Sequence, residues 1–451
     1  MQARLKQHRT ITMKLKYLKN NTFTLLLTGL MSCGTAVAYD SSDDSKVASE
    51  RSKTDYTQQG IHVGSFTIMP KLELKNEYID NIYYRDNKLG KLTDSYIAHW
   101  KPGVNINSNW NRHALNFLLD TDIAQYSTQA SRNDYENVKT GVNGRVDVLR
   151  DSHFDTSFGY NYLTEQRGSP DQISALTPTI YDTKVIDGFY SHTLNRVTLK
   201  TGVNATRWDY QNVLTGGGAI LQMATRNHWL YTPEIKVGYL IQPEYEAYLK
   251  FQYVNASYDT LTAVNGTSAA GSYNRNSTGY NALAGFAFDV TGLLTGDASI
   301  GYIERTYTDN KLRQVSGVNG FVDLKWRPTP LTTVTGSVFR NITETTQAGV
   351  AGTFQTGVSL NAEHELMRNI NLHAGANFTN YAYNGYVTAT GIGSQNFNRN
   401  DNMYGANVGV KYFFNRYLST DSSYTYQNRA SNYALSNYEV NQVMLNIRGQ
   451  Y

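Results

Sequence analysis

From Ile68 to the last residue the chain alternates apolar and polar positions in eighteen short segments, joined in turn by tight turns and by long polar loops. Side chains on a strand point to opposite faces with a period of two, so a strand with lipid on one side and water on the other must alternate. The last segment is the clearest case. Val443, Leu445, Ile447 and Tyr451 share one face with Gly449, while Met444, Asn446, Arg448 and Gln450 share the other. The four large apolar residues, ending on an aromatic, have the form of a C-terminal assembly signal for an outer-membrane barrel.

Charge decides which face is which. A Lys or Arg facing lipid at mid-membrane costs ~2–4 kcal/mol. Leu72, Leu74 and Tyr78 are therefore read outward, and Lys71, Glu73, Lys75 and Glu77 into the lumen. The same argument turns Leu115, Phe117, Leu119 and Ile123 outward and Asp120 and Asp122 inward. It turns Val138, Val142, Val146 and Val148 outward and Lys139, Arg145 and Asp147 inward. It also places Lys200, Glu234, Lys236, Lys250, Asp323, Lys325, Arg340, Lys411 and Arg448 on the lumen wall. These lumen residues are the candidate transport path; the alternative is salt-bridged wall packing that closes part of the lumen.

Eight short turns are expected near Asn111-Arg112, Arg150-Asp151, Asn195-Arg196, Gln242-Pro243, Thr291-Gly292, Pro328–Pro330, Met367-Arg368 and Asn415-Arg416. Nine longer loops fall at 80–94, 126–134, 164–180, 209–225, 256–276, 307–314, 343–353, 384–400 and 428–436. Short periplasmic turns, long external loops and both termini in the periplasm are the asymmetry of an outer-membrane barrel. The fold class is all-β, an antiparallel up-and-down transmembrane β-barrel of eighteen strands, or sixteen if weak segments such as 181–193 and 418–427 stay unpaired. Pro102 and Pro233 fall inside strands. A closed barrel has no free edge for a missing N–H, so bulges or nearer strand ends are expected there. A soluble β-propeller or β-helix would also alternate, but no blade-length repeat is visible.

Residues 1–38 read differently. Arg4, Lys6, Arg9, Lys14, Lys16 and Lys19 precede an apolar core from Phe23 to Met31 and an Ala36-Val37-Ala38 cleavage site, the layout of a secretory signal peptide, with Met13 an alternative start. Removing those six of the 41 basic residues leaves 35 against 37 acidic, a net charge of about −2, and takes away the motive for nucleic-acid binding. Leu30-Met31-Ser32-Cys33-Gly34 loosely follows a lipobox. Lipidation at Cys33, the only cysteine, is the alternative to cleavage after Ala38. Residues 39–60 are polar and read as a flexible periplasmic lead-in, leaving 61–451 as the barrel.

Composition supports a membrane barrel over a soluble core. Charged residues are 17%, aromatics 12%, and tyrosines number 35, as expected where rings sit at membrane interfaces. The mean hydropathy of −0.48 is no objection, because only half of each strand faces lipid. Tyr160, Tyr162, Trp208, Tyr210, Trp229, Tyr231, Tyr424 and Tyr426 cluster toward strand ends, as interfacial girdles or as sugar-stacking platforms; the parity Tyr160 and Tyr162 share with Phe154 and Phe158 favours girdles.

A segment near the start resembles the opening of the Putative beta-barrel porin 2 family. It runs Gly60-Ile61-His62-Val63-Gly64-Ser65-Phe66, Pro70-Lys71-Leu72-Glu73 and Tyr78-Ile79-Asp80-Asn81-Ile82-Tyr83. Lys101-Pro102-Gly103 and Ser108-Asn109-Trp110-Asn111-Arg112-His113 continue the resemblance. It implies an outer-membrane barrel of a Gram-negative envelope of the kind that accompanies exopolysaccharide biosynthesis, including EpsL-like members, and hence a conduit for exported polysaccharide. A general diffusion porin, and a plugged structural or adhesin-type barrel, are the alternatives. Expected partners are outer-membrane lipid, the barrel-assembly machinery, periplasmic chaperones and polysaccharide-export components. The oligomeric state is open, with a monomer the simplest reading.

No enzymatic chemistry is expected. The histidines form no HExxH pair. In Glu363-His364-Glu365 the histidine points opposite to its neighbours on a strand, so the three cannot converge on one metal without a bulge. Gly216-Gly217-Gly218 and Gly391-Ile392-Gly393 lack the Lys-Ser/Thr of a phosphate loop and read as loop tips. No cofactor is expected. The 256–276 loop is long enough to fold inward but carries only Asp259 and Arg275 as charges, a poor filter.

Overall fold

The computed structural model describes residues 56–451 apart from 171, 173–174, 263–271, 346–349 and 386–396. Residues 1–38, read from the sequence as a signal peptide with Cys33, and residues 39–55 of the expected lead-in lie outside the described residues. So does Gly391-Ile392-Gly393.

Eighteen strands form the wall. They are β1 (Phe66–Ile79), β2 (Ser95–Ser108), β3 (Ala114–Tyr126), β4 (Tyr135–Leu149), β5 (Ser152–Thr164), β6 (Ile180–Leu194), β7 (Val197–Tyr210), β8 (His228–Gln242) and β9 (Tyr245–Tyr258). The second half comprises β10 (Ser277–Val290), β11 (Leu294–Tyr307), β12 (Val315–Thr329), β13 (Thr332–Thr343), β14 (Gly352–Met367), β15 (Ile370–Gly385), β16 (Phe397–Phe413), β17 (Leu418–Ser431) and β18 (Tyr438–Gln450). Every strand pairs antiparallel with its sequence neighbours, and β1 pairs with β18 from Lys71–Gln450 to Ile79–Gln442, which closes the ring. The segments 181–193 and 418–427 are both paired strands, so the count is eighteen.

All eight short turns fall where the sequence places them, at one end of the barrel, and the long loops fall at the other. Left-handed backbone marks several: Asn195, Thr291 and Gly292 have φ of 55°, 56° and 69°. Strands run from 12 to 17 residues, longer than the ~11 a tilted strand needs to cross hydrocarbon. The surplus carries the wall beyond the hydrocarbon.

The outer face is apolar and open. Leu249, Ile300, Val358, Leu360 and Val408 are exposed, as are Val443, Leu445, Ile447 and Tyr451 on the closing strand. Exposed side chains of this kind on every side of a barrel are the lipid face. Tyr451 stacks on Tyr417 at the turn-bearing rim, with ring centroids 5.7 Å apart.

The two prolines behave otherwise than expected. Neither makes a bulge. Trp100 pairs with Ile123 and Gly103 with Asp120, so the register is the same on both sides of Pro102. Likewise Tyr231 pairs with Asn255 and Glu234 with Gln252 around Pro233. Each proline keeps its pairing to one neighbour, Leu72 for Pro102 and Val203 for Pro233. Beside Pro102 the Thr121 hydroxyl donates 3.0 Å to the proline carbonyl, so a side chain replaces part of the lost ladder.

The end of the lead-in is tied to the barrel. The Gly60 amide donates to the Tyr451 carbonyl at 3.2 Å, and Gln58 Nε2 reaches the carbonyls of Pro70 and Tyr451, each at 3.0 Å. Ile61–Val63 then pairs with the start of β1.

The assignment of faces is checked by a matched pair of variants at neighbouring positions on β14. Leu360→Arg places a cation in lipid at the strand centre and should destabilise the barrel by ~2–4 kcal/mol. Ser359→Arg points into water and should cost less than about 1 kcal/mol. Urea unfolding in phospholipid vesicles measures both; equal losses would mean that the two faces are misassigned.

Candidate channel site

The lumen wall is built from ion pairs and amide ladders. Lys71 Nζ lies 2.7 Å from Asp120, Arg145 Nε 2.7 Å from Asp147, and Lys236 and Lys250 lie 3.2 Å from Glu246 and Glu234. Lys75 pairs with Glu77, and Arg448 approaches Glu73 at 3.8 Å. His99, absent from the sequence-derived path, sits between two of these carboxylates: Nδ1 is 2.8 Å from Asp122 and Nε2 3.7 Å from Glu77. Gly103 makes room for the first pair, since a Cβ there would collide with the Asp120 carboxylate and the Lys71 side chain.

Lys139 stands opposite Asp120 and Asn161 in the ladders, and Lys200 lies 4.6 Å over the Phe189 ring. Asp323 stands opposite Asp297, with Lys325 two residues along the same face, and Lys411 lies 5.0 Å over Phe413. Between the charged groups run amides. Asn319 Nδ2 donates to Asn281, Asn281 to Gln252 and Gln252 to Glu234, at 2.8–2.9 Å. Asn143 similarly donates to Asn116 at 3.0 Å. Where charges are paired and bridged by amides they cancel locally, whereas Asp297 and Asp323 face each other as like charges.

Arg340 is not on this wall. It shares a face with Val338, which is exposed to lipid, and pairs in register with Gly320 and Thr356. The rule that drives charge inward applies to the hydrocarbon, and the penalty falls to ~0–1 kcal/mol near the interface; Arg340 lies near the external end of β13. His364 points away from Glu363 to the Thr332 hydroxyl, 3.0 Å away. Among the described residues no three His, Cys, Asp or Glu side chains stand close enough to hold a metal.

The external mouth is narrowed from inside. Described residues of the loop 165–179, which follows β5, reach distant strands. The Tyr438 hydroxyl, on β18, donates to the Gly168 carbonyl at 3.1 Å, and the Tyr383 hydroxyl, on β15, to the Pro170 carbonyl at 3.4 Å. In an eighteen-strand ring β15 lies almost opposite β5, so this loop is a strap across the lumen. Arg167 anchors it: its guanidinium donates to Asn133 Oδ1 and to the carbonyls of Ala175 and Leu176, and lies 4.7 Å over the Tyr83 ring. Burial pulls the Arg167 pKa down from its ordinary value.

The loop 80–94 folds in beside the strap. Ile82, Tyr83 and Tyr84 pack with lumen-facing Ile79, Ile97, Ala124, Tyr126, Tyr135, Tyr438 and Val440. The Tyr84 ring meets Tyr438 edge-on at 5.1 Å and covers Gly168, where a Cβ would strike it. Burial, then Tyr438 and Glu77, push the Tyr84 hydroxyl well above its ordinary pKa, so it stays a neutral phenol. At the base of the strap Glu165 takes a two-pronged contact from Arg226, 2.8 and 3.1 Å, with both side chains buried and the guanidinium 3.9 Å over the Tyr210 ring.

The described residues of the 256–276 loop pack on their own side of the mouth, where Tyr273 is buried with lumen-facing Ile303, Tyr307 and Val315. Asp259 is held outside by Arg207, whose hydrogen bond lowers its pKa, and buried Arg275 donates to the Thr345 carbonyl. Nothing in the composition of 165–179 marks it as the strap, because its partners lie 213 and 270 residues away. The signal available was indirect: tyrosines at positions 383 and 438, on lumen parity near external strand ends.

Residues 53–451 match the profile of the family described as Putative beta-barrel porin 2. No curated protein matches the chain. Among solved structures it is similar to Pseudomonas aeruginosa OpdK with vanillate, at 9% identity over 85% of this chain and 99% of that one, TM-score 0.44. It is also similar to Pseudomonas aeruginosa OccK9 (OpdG), at 11% identity over 87% and 100%, TM-score 0.44. A third is Pseudomonas aeruginosa OccK2 (OpdF) in complex with glucuronate, at 7% identity over 87% and 100%, TM-score 0.43.

Two predictions follow the strap. Replacing both Tyr383 and Tyr438 by Phe removes two hydrogen bonds of about 1 kcal/mol each, and should raise the detached population of the strap roughly thirtyfold. In planar bilayers this should appear as frequent upward conductance steps; an unchanged trace would take the strap out of the permeation path. At the buried ion pair, Arg226→Met alone should destabilise by about 3–5 kcal/mol, while Arg226→Met with Glu165→Leu should recover most of that loss. Thermal unfolding of the two variants provides the comparison.

Proposed function

Because the chain belongs to that family and is an outer-membrane β-barrel porin, we propose that it is a passive channel for small hydrophilic solutes with weak charge selectivity. The observation that carries this reading is the strap from 165 to 179, hydrogen-bonded to β15 and β18 across the mouth. Eighteen strands alone enclose a water-filled channel. A strap through its mouth divides that opening into smaller passages, which suits solutes of one or two sugar or amino-acid units. Neutralised pairs such as Lys71–Asp120 and Lys250–Glu234 support the lack of strong ion preference.

A conduit for exported polysaccharide, the function implied by the resemblance, would require a continuous path that a polymer can thread. The strap disfavours it. A plugged structural barrel would need the lumen closed along its length, and nothing in the wall geometry favours that.

The deciding experiment combines single-channel conductance of the refolded barrel with liposome swelling in sugars of increasing size. Swelling should be fast for monosaccharides and fall about tenfold or more by trisaccharides, with a reversal potential near zero in a salt gradient. Long-lived blockade of large steps by anionic or neutral polysaccharide would instead establish the export conduit. A folded barrel without conductance would establish the plugged one.

A further inference from the structure

The misplaced arginine has chemistry of its own. Arg340 lies on the outer face in a row that continues across three more strands, Thr356, Asn380 and Asn402 standing side by side in register. The next outward-facing row toward the membrane centre is Val338, Val358, Phe378 and Tyr404, with Phe378 and Tyr404 in ring contact at 5.1 Å. Two residues along a strand rise about 6–7 Å. Over that distance the wall changes from apolar and aromatic to hydrogen-bonding, which sets the polar row at the headgroup level of the external leaflet.

The guanidinium is presented in a fixed attitude. Nε donates to the Val318 carbonyl at 3.0 Å, Nη1 to the Thr356 hydroxyl at 3.0 Å, and the group lies 4.6 Å over the Phe354 ring. Among the described residues no carboxylate pairs with it. Outward-facing cations elsewhere on this rim are engaged: Lys184 lies 3.2 Å from Asp209, and Arg207 bonds Asp209 and Asp259. Arg340 therefore keeps both its charge and its remaining N–H donors toward the lipid headgroups. Beside it, Asn380 Nδ2 donates to Asn402 at 2.8 Å, so the neighbouring amides form a held surface that can donate and accept.

We propose that Arg340, with Thr356, Asn380 and Asn402, forms an outer-rim site for a phosphorylated glycolipid headgroup of the external leaflet. The planar guanidinium matches a phosphate monoester and the hydroxyl and amides match its sugar.

The test uses the full barrel purified in detergent, titrated separately with lipopolysaccharide bearing both lipid A phosphates, with the same glycolipid after phosphatase treatment, with phosphatidylglycerol and with inorganic phosphate. Affinity is read by native mass spectrometry and thermal midpoint. The phosphorylated glycolipid should bind about tenfold more tightly than the dephosphorylated form. Arg340→Gln should erase that difference while leaving conductance unchanged, and Arg340→Lys should restore part of it. Should Arg340→Gln fail to fold, Arg340→Lys and Thr356→Val carry the test, each expected to weaken the phosphorylated glycolipid selectively. Equal binding by wild type and Arg340→Gln would overturn the site. So would equal binding of phosphatidylglycerol, or of free phosphate, since either would indicate a general anion effect.

Discussion

Inside a bilayer no water is available to satisfy a backbone N–H or carbonyl, so every strand must have a neighbour on both sides. The rest of the structure follows from this one requirement. It forces the pairing of Lys71–Ile79 with Gln442–Gln450, and it forbids an edge on which a proline could hide. The response at Pro102 is local: the ladder loses contact with one neighbour, a threonine hydroxyl bonds to the proline carbonyl, and the register passes through unchanged. Because side chains alternate on a closed sheet, closure also separates two solvents, lipid outside and water within.

The inner surface then has to be polar without collapsing on itself. It does so by pairing charge with charge across neighbouring strands and bridging the pairs with asparagine and glutamine. His99 between Asp122 and Glu77, and the relay from Asn319 to Glu234, are instances of the same device. The mouth is organised differently. There, tyrosines and isoleucines on lumen parity make a small apolar core that holds loop backbone in place.

Most of this architecture was legible in the sequence because alternation is a strong signal and each short turn interrupts it. The eight turns need nothing else, and the orientation of Lys71 to Glu77 needs only the added rule that charge avoids lipid. Arg340 departs from the charge rule for a definable reason. The charge rule holds only at hydrocarbon depth, and alternation with Val338 points Arg340 outward; where the bilayer gives way to headgroups, parity outranks charge. The strap was illegible for another reason. Loop composition shows that 165–179 is polar, but its course depends on Tyr383 and Tyr438, which only the closed ring brings opposite it.

The seam between the first and last strands joins the parts of the chain that lie farthest apart in sequence, Lys71 with Gln450 and Gly60 with Tyr451. Hairpins can form as soon as their own residues are available, whereas this join must wait for all seventeen of them. Until it is made the sheet has two bare edges, each a template for pairing with another chain. Loop-closure entropy is greatest there and the bonds are the last to be collected. The short clasp from Gln58 to Val63 acts at this point, adding hydrogen bonds beside the final joint. It should therefore matter more to how long an unfinished barrel survives than to the stability of a finished one.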